Sequence, residues 1–133
     1  MRYPITPVPK PRMTQRDKWS KRACVVRYWD FKDEVRRLGV ELPKYGAWVT
    51  FYLPMPKSWS KKKRGEMYLT PHTQKPDLDN LIKALGDAVY DDDSGIWDIR
   101  ASKWWALSGA ITIDVLDLKW QPRIKEITQE DLG

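Results

Sequence analysis

The sequence predicts a single small α+β domain, a mixed β-sheet packed with helices. Three observations carry that expectation. Apolar residues recur at helical spacing in two segments, Ala23–Leu38 and Asp77 to about Tyr90. β-Branched and aromatic residues crowd three others, Ala47–Leu53, Ile96–Leu107 and Ala110–Leu118. The chain has 133 residues, the length of one domain with one core. The elements order as β-α-β-α-α-β-β, which lacks the regular strand–helix alternation of a wholly parallel sheet. Residues 1–133 are therefore read as one unit, with a basic strand and loop at 1–22 and a loosely packed tail at 119–133.

Taken in order, residues 3–8 suit a short edge strand, which Pro4, Pro7, Pro9 and Pro11 then interrupt. Lys10–Arg22 is a basic loop of a length that is often functional in a small domain. In the first helix Val25, Val26, Trp29, Val35 and Leu38 form the expected buried stripe, and Gly39 a stop. Cys24, in the same apolar stretch, is expected to be buried. Trp48, Val49, Thr50, Phe51 and Tyr52 mark the next strand, which Pro54 and Pro56 end. Ser58–Gly65 reads as a short capped helix or basic turn, and Leu69–Pro76 as a loop. Asp77 can cap the second long helix, whose stripe is Leu78, Leu81, Ile82, Leu85, Ala88 and Val89. Asp87 falls on another face and is expected to be solvated. Asp91–Gly95 forms a tight acidic turn, and Ser108-Gly109 suits a hairpin between the last two strands.

Charge narrows the function. The net charge is +6, but residues 1–64 hold 17 of the 24 basic and 5 of the 18 acidic residues, a net of +12. The remainder is −6, so a basic surface accompanies a separate acidic region. One cysteine and one histidine, Cys24 and His72, exclude a disulfide framework and any multi-Cys or multi-His metal site within one chain. A bound metal would take oxygen ligands, as hard cations do. No run of apolar residues is long enough to span a membrane, and no signal peptide is evident; the expected compartment is the cytoplasm.

The acidic residues gather in Asp77-Leu78-Asp79-Asn80-Leu81-Ile82-Lys83 and in Asp91-Asp92-Asp93. Asp77 and Asp79 can converge on one point near the start of a helix, where they can also serve only as a cap and a partner of the helix dipole. A helix of about 12 residues is roughly 18 Å long, so the chain has to fold back for the Asp91–Asp93 turn to approach them. Gathered carboxylates repel one another, and Mg²⁺ or Mn²⁺ relieves this while supplying the chemistry of phosphodiester hydrolysis. Lys83, four residues from Asp79, either orders that carboxylate and stabilises charge on a phosphate or forms an ordinary helix-surface ion pair. A calcium loop of the EF-hand kind is excluded, because Leu81 and Ile82 stand where a ligand and a glycine are required.

This run, with Asp87-Ala88 and Asp92-Asp93-Ser94-Gly95-Ile96 behind it, resembles the RusA family of Holliday junction resolvases, whose members carry Asp-x-Asp-Asn-Leu-x-Lys, a helical spacer and an Asp-Asp pair entering a strand. Pro7-Val8-Pro9-Lys10-Pro11-Arg12 is similar to members encoded by phages and prophages, and the likeness extends from about residue 3 to 118. The resemblance implies a homodimeric, Mg²⁺-dependent endonuclease that cuts four-way DNA junctions symmetrically, with no organic cofactor. It implies that Asp77, Asp79 and Asp93 bind metal, that Asp92 is a neighbour of less defined role, and that Lys83 is catalytic. Gly95 stands where the family often has Gln. Two rivals share the features: a nuclease of the same fold acting on other branched phage DNA, and a non-catalytic DNA-binding protein.

Phosphate contacts are expected from Lys10, Arg12, Arg16, Lys18, Lys21 and Arg22, from Lys61, Lys62, Lys63 and Arg64, and from Lys75. Of eight tryptophans, Trp29, Trp48 and Trp97 fit buried faces, while Trp19 and Trp59 lie in the basic clusters, where they either stack on bases or pack under a loop. Trp104 and Trp105 face opposite ways on a strand, the outer one suiting a dimer interface. His72 is expected to make a loop hydrogen bond.

Overall fold

The computed structural model of the protein describes residues 1–12 and 22–115. Its elements keep the expected order: β1 (Arg2–Tyr3), α1 (Ala23–Arg37), β2 (Ala47–Pro54), α2 (Lys61–Met67), α3 (Leu78–Tyr90), β3 (Ile99–Ala106) and β4 (Ala110–Val115), with a 3₁₀ turn at Asp93–Gly95. The strands form one mixed sheet in the order β1-β4-β2-β3, and the domain is α+β. No helix among the described residues is long and apolar enough to cross a membrane. The tail at 119–133, with Trp120, and the basic loop residues Arg16, Lys18 and Lys21, with Trp19, lie outside the described residues.

β2 is central. It pairs in parallel with β3, Ala47 opposite Ile99 through Pro54 opposite Ala106, and antiparallel with β4. Its alternation puts Ala47, Val49, Phe51 and Leu53 on a buried face, where they meet Leu81, Ala84, Leu85 and Ala88 of α3 and Tyr28, Phe31 and Val35 of α1. Phe51, Leu81, Leu85 and Ile111 are fully buried, and each such side chain contributes about 1.5–3 kcal/mol relative to exposure. The helix over Asp77–Tyr90 and the strand over 47–53 match the expectation closely.

Several expectations are corrected. The strand expected over residues 3–8 is only Arg2–Tyr3, paired with Thr112 and Ile111 of β4; Pro4 and Pro7 have no amide hydrogen to continue the ladder. Ser108-Gly109 reverses the chain but makes no hairpin, because β2 lies between β3 and β4. α1 buries Val25, Tyr28, Phe31 and Val35. Trp29 is instead 40% exposed, and Val26, Leu38 and Cys24 are half-buried. The two aromatic rings at 28 and 31 claim the core-facing stripe and turn Trp29 outward. Trp48 and Trp97 are also exposed, at 40% and 72%. Trp48 occupies the uncovered sheet face beneath the guanidinium of Arg100, and Trp97 stacks on Tyr45 at 5.3 Å.

Gly109 owes its identity to close approach. A Cβ there would stand 2.3 Å from Thr6 Oγ1 and 2.5 Å from Thr6 Cα, so the N-terminal segment packs directly on the turn before β4. Gly109→Ala should destabilise the fold by about 1–3 kcal/mol, read as a lower urea midpoint with an unchanged denaturant slope; an unaltered midpoint would show that the segment is not held there.

His72 is 4% exposed and lies 4.1 Å from Trp105, centroid to centroid. Burial, then the nearby Lys103 charge, pushes its pKa below the ordinary value. The fold thus favours neutral His72, so stability is full above the unfolded pKa of about 6.5 and falls as pH drops beneath it, where the unfolded chain gains the proton first. Melting temperatures between pH 7 and pH 5 should fall in the wild type and fall less in His72→Phe.

Candidate active site

The segment before α3 is more ordered than a plain loop. Leu69 N donates to Trp105 O, Trp105 N to Thr70 O and His72 N to Lys103 O. This lays residues 69–72 along the outer edge of β3. The Lys103 ammonium then donates to the carbonyls of Gln74, at 2.5 Å, and Pro76, at 2.7 Å. Asp77 follows at once. Sequence reading missed Lys103, because a lysine in a strand carries no signal of the carbonyls it will tie.

Asp77 occupies the N-cap position of α3 in an extended conformation, yet its carboxylate makes no capping hydrogen bond. Capping is thus not its role in this fold, and it has no side-chain partner among the described residues. Asp79 lies in the first turn, 3.8 Å from the Lys83 ammonium, both well exposed. An exposed pair at that spacing contributes at most a few tenths of a kcal/mol, roughly 0.3–0.5.

After α3 the chain folds back as far as the middle of that helix. Asp91 ends α3 in the left-handed conformation, φ 63°, which aspartate tolerates better than most residues. Arg36 of α1 secures this corner, donating to Ala88 O at 3.3 Å and pairing with the Asp91 carboxylate. The 3₁₀ turn then packs against the middle of α3, at Gly86. A Cβ on Gly86 would lie 2.7 Å from Asp93 Cβ and 3.1 Å from Ile96 Cδ1. Glycine inside a helix is unfavourable by about 1 kcal/mol; here its missing side chain lets Asp93 reach α3.

The two neighbouring aspartates of the turn differ. Asp92 accepts from Ser94 N at 3.0 Å and Ser94 Oγ at 2.9 Å, closing the turn. Those hydrogen bonds, with the charge of Lys10 a smaller cause, hold its carboxyl below the usual range. Asp93 makes no such contact and lines a cleft of about 410 Å³ with Lys10, Pro11, Arg12, Asn80 and Lys83. A second cleft of about 770 Å³ holds Asp77, Lys75, Gln74, His72 and Arg27, and it shares Lys10 and Asn80 with the first. The two clefts thus meet over the first turns of α3.

Asp87 is buried, 6% exposed, contrary to expectation. It receives Lys10 Nζ at 2.6 Å and the Tyr28 hydroxyl at 3.2 Å. Burial and the adjacent Asp87 carboxylate raise the Tyr28 pKa well above that of a free phenol. Lys10 N also donates to Asn80 O at 3.1 Å, binding the N-terminal segment to α3. Helical periodicity put Asp87 on a wet face because it could not foresee the Lys10 segment crossing there.

Among the described residues no three Asp, Glu, His or Cys side chains gather closely enough to share one metal ion. The donors available are nevertheless the right kind. Asp77 and Asp93 are unpartnered carboxylates on adjoining clefts, Asp79 stands nearby, and one or two carboxylates suffice for Mg²⁺ when waters and phosphate oxygens complete its shell.

The other expected phosphate contacts lie apart from this centre or at its rim. Lys75 and Arg12 line the clefts, and Arg22 donates to Arg12 O at 2.9 Å. Lys61, Lys62 and Lys63 are exposed on α2, whose Ser60 cap accepts from Lys63 N, and Arg64 is partly buried. Trp59 packs on Trp105 at 4.8 Å with Lys63 over its ring. Of the 104–105 pair, Trp105 is the buried member.

The profile of a family described as "Endodeoxyribonuclease RusA" matches residues 4–116. The chain belongs to the RusA family. A protein of Bacillus subtilis (strain 168) described as "Uncharacterized protein YqaN" is 42% identical over 66 residues, 44% of this chain and 46% of that relative. The chain thus spans about half the length of this curated relative. No solved structure matches.

Gly86→Ala tests the fold-back directly. Alanine gains about 1 kcal/mol of helix propensity, but the Asp93 turn has to move away to admit the methyl group. Amide chemical shifts should change at Asp92–Trp97 while those of β2 and β4 stay in place; unchanged shifts at Asp93 would contradict the packing.

Proposed function

We propose that the protein is a divalent-metal-dependent endodeoxyribonuclease that resolves four-way DNA junctions, acting as a homodimer so that two sites cut symmetrically. The carrying observation is the pair of unpartnered carboxylates, Asp77 and Asp93, on clefts that share Asn80 and Lys10, with Lys83 on the wall of the Asp93 cleft. Family membership supports the reaction class, and the +12 charge of residues 1–64 supports a polyanionic substrate.

Asp77, Asp79 and Asp93 would supply carboxylates to Mg²⁺, one or two to an ion with waters and phosphate oxygens completing its shell, with Mn²⁺ able to replace it; Asp92 is engaged with Ser94 and supports the turn. When bound, the ion neutralises charge at the phosphate and makes an attacking water more acidic. The chain does the rest. Lys83 orders Asp79 and faces the phosphate as negative charge develops. Lys75 and Arg12, at the rims, take neighbouring phosphates of the strand, and Lys61–Arg64 extends that hold.

Asp79→Asn should abolish cleavage of a four-way junction, a loss of about a hundredfold or more, while leaving junction binding at least as tight, because it also removes a negative charge facing DNA. Cleavage at the wild-type rate would overturn the assignment. Junction, flap and linear duplex compared with and without Mg²⁺ separate the alternatives. Preference for flaps favours a nuclease of other branched DNA, and binding without Mg²⁺-dependent cutting favours a non-catalytic binder.

A further inference from the structure

Lys10, Asp87 and Tyr28 form a chain of contacts that the proposed chemistry leaves unused. Asp87 is a carboxylate in the interior, on the α3 face that meets α1. A charge so placed is costly unless it is paired and hydrogen-bonded, and both conditions hold: Tyr28 donates from α1 and Lys10 from the N-terminal segment. The Lys10 side chain is not buried with its partner. It remains 37% exposed and borders both clefts, facing Asn80, Lys83 and Asp93 across the smaller one. Its backbone is fixed as well, through Lys10 N to Asn80 O. An ammonium has three donors, and Asp87 uses only part of that capacity.

We propose that Asp87 and Tyr28 are positioning residues for Lys10, holding its ammonium on the wall of the Asn80–Lys83–Asp93 cleft, where it takes an oxygen of the DNA phosphate beside the cut. This rests on the endonuclease reading above. Lys10 and Lys83 then flank the phosphate from two sides, one anchored from beneath and the other on the helix surface. The proposal gives a reason for a buried aspartate one helical turn beyond Lys83: its charge keeps a flexible lysine from turning into solvent.

The test uses the full-length protein, with single-turnover cleavage of a four-way junction in Mg²⁺, junction affinity in Ca²⁺ as a function of salt, and melting temperature. Lys10→Met should slow cleavage about tenfold and reduce the slope of log affinity against log salt by roughly 0.9, the value of one lost phosphate contact. Lys10→Arg should restore most of both. Asp87→Asn and Tyr28→Phe should lower the rate in the wild-type background but not further in Lys10→Met, since they act through that side chain. Lys10→Met with Asp87→Asn removes both charges together and keeps the interior neutral, so it reports even where Lys10→Met alone unfolds. An unchanged salt slope in that double variant, or rate effects of Asp87→Asn that multiply with those of Lys10→Met, would overturn the proposal and leave Asp87 a purely structural residue. If the wild type cuts no branched DNA, the endonuclease reading fails separately, and the salt slopes still report whether Lys10 contacts phosphate.

Discussion

Two strands in parallel cannot be joined by a tight turn, since the chain has to return to the same end of the sheet before the second begins. β2, inside this sheet, and β3, at its border, are such a pair, and everything between Pro54 and Ile99 is the return path. That path carries α2, the ordered segment at 69–76, all of α3 and the acidic turn. The candidate active-site carboxylates therefore sit on a connection whose two ends are fixed by the ladder. Their placement follows from two further ties. Lys103, a residue of β3 itself, holds the carbonyls just ahead of Asp77, and Gly86 admits Asp93 to the flank of α3.

Electrostatics divides labour among carboxylates that look alike in sequence. Asp92 is consumed by Ser94, Asp91 by Arg36, and Asp87 by Lys10 and Tyr28. Asp77 and Asp93 are left open to a ligand. The distinction is one of local hydrogen bonding: a carboxylate already receiving two donors has less to offer a cation than one facing only solvent. Among the described residues, the acidic side chains of the second half thus divide into corner braces, one buried anchor and a small set of available ligands.

Element types and order were legible because they depend on local period. The stripe of α3 and the alternation of β2 read correctly, and the Asp77–Lys83 run lies at the start of α3, where a capped helix was expected. Partners were not legible. Ser108-Gly109 announces a reversal but says nothing of which strand lies alongside, and here β2 intervenes. Trp29 and Trp97 are apolar enough to be buried, but Tyr28 and Phe31 fill the core-facing stripe, and Trp97 finds Tyr45 at the surface. Asp87 looked like a wet residue because its cation comes from 77 positions earlier in the chain. Gly86 was a position where helix propensity and packing disagree, and only the structure shows the packing reason, the approach of Asp93.

The treatment of the sheet borders has a consequence for association. An exposed outer strand is a template on which another chain can extend the ladder. Here residues 69–72 occupy the outer side of β3 near its C-terminal end, and the opposite border is closed by a β1 of two residues that runs directly into Pro4. Met1 completes that closure, its amino group donating to Ile113 O and its carbonyl accepting from Ile113 N. Along these stretches the peptide groups of β3 and β4 are already paired. A chain adding a strand beyond β1 finds only two residues to pair with before Pro4 ends the ladder, so generic strand addition has little to build on there.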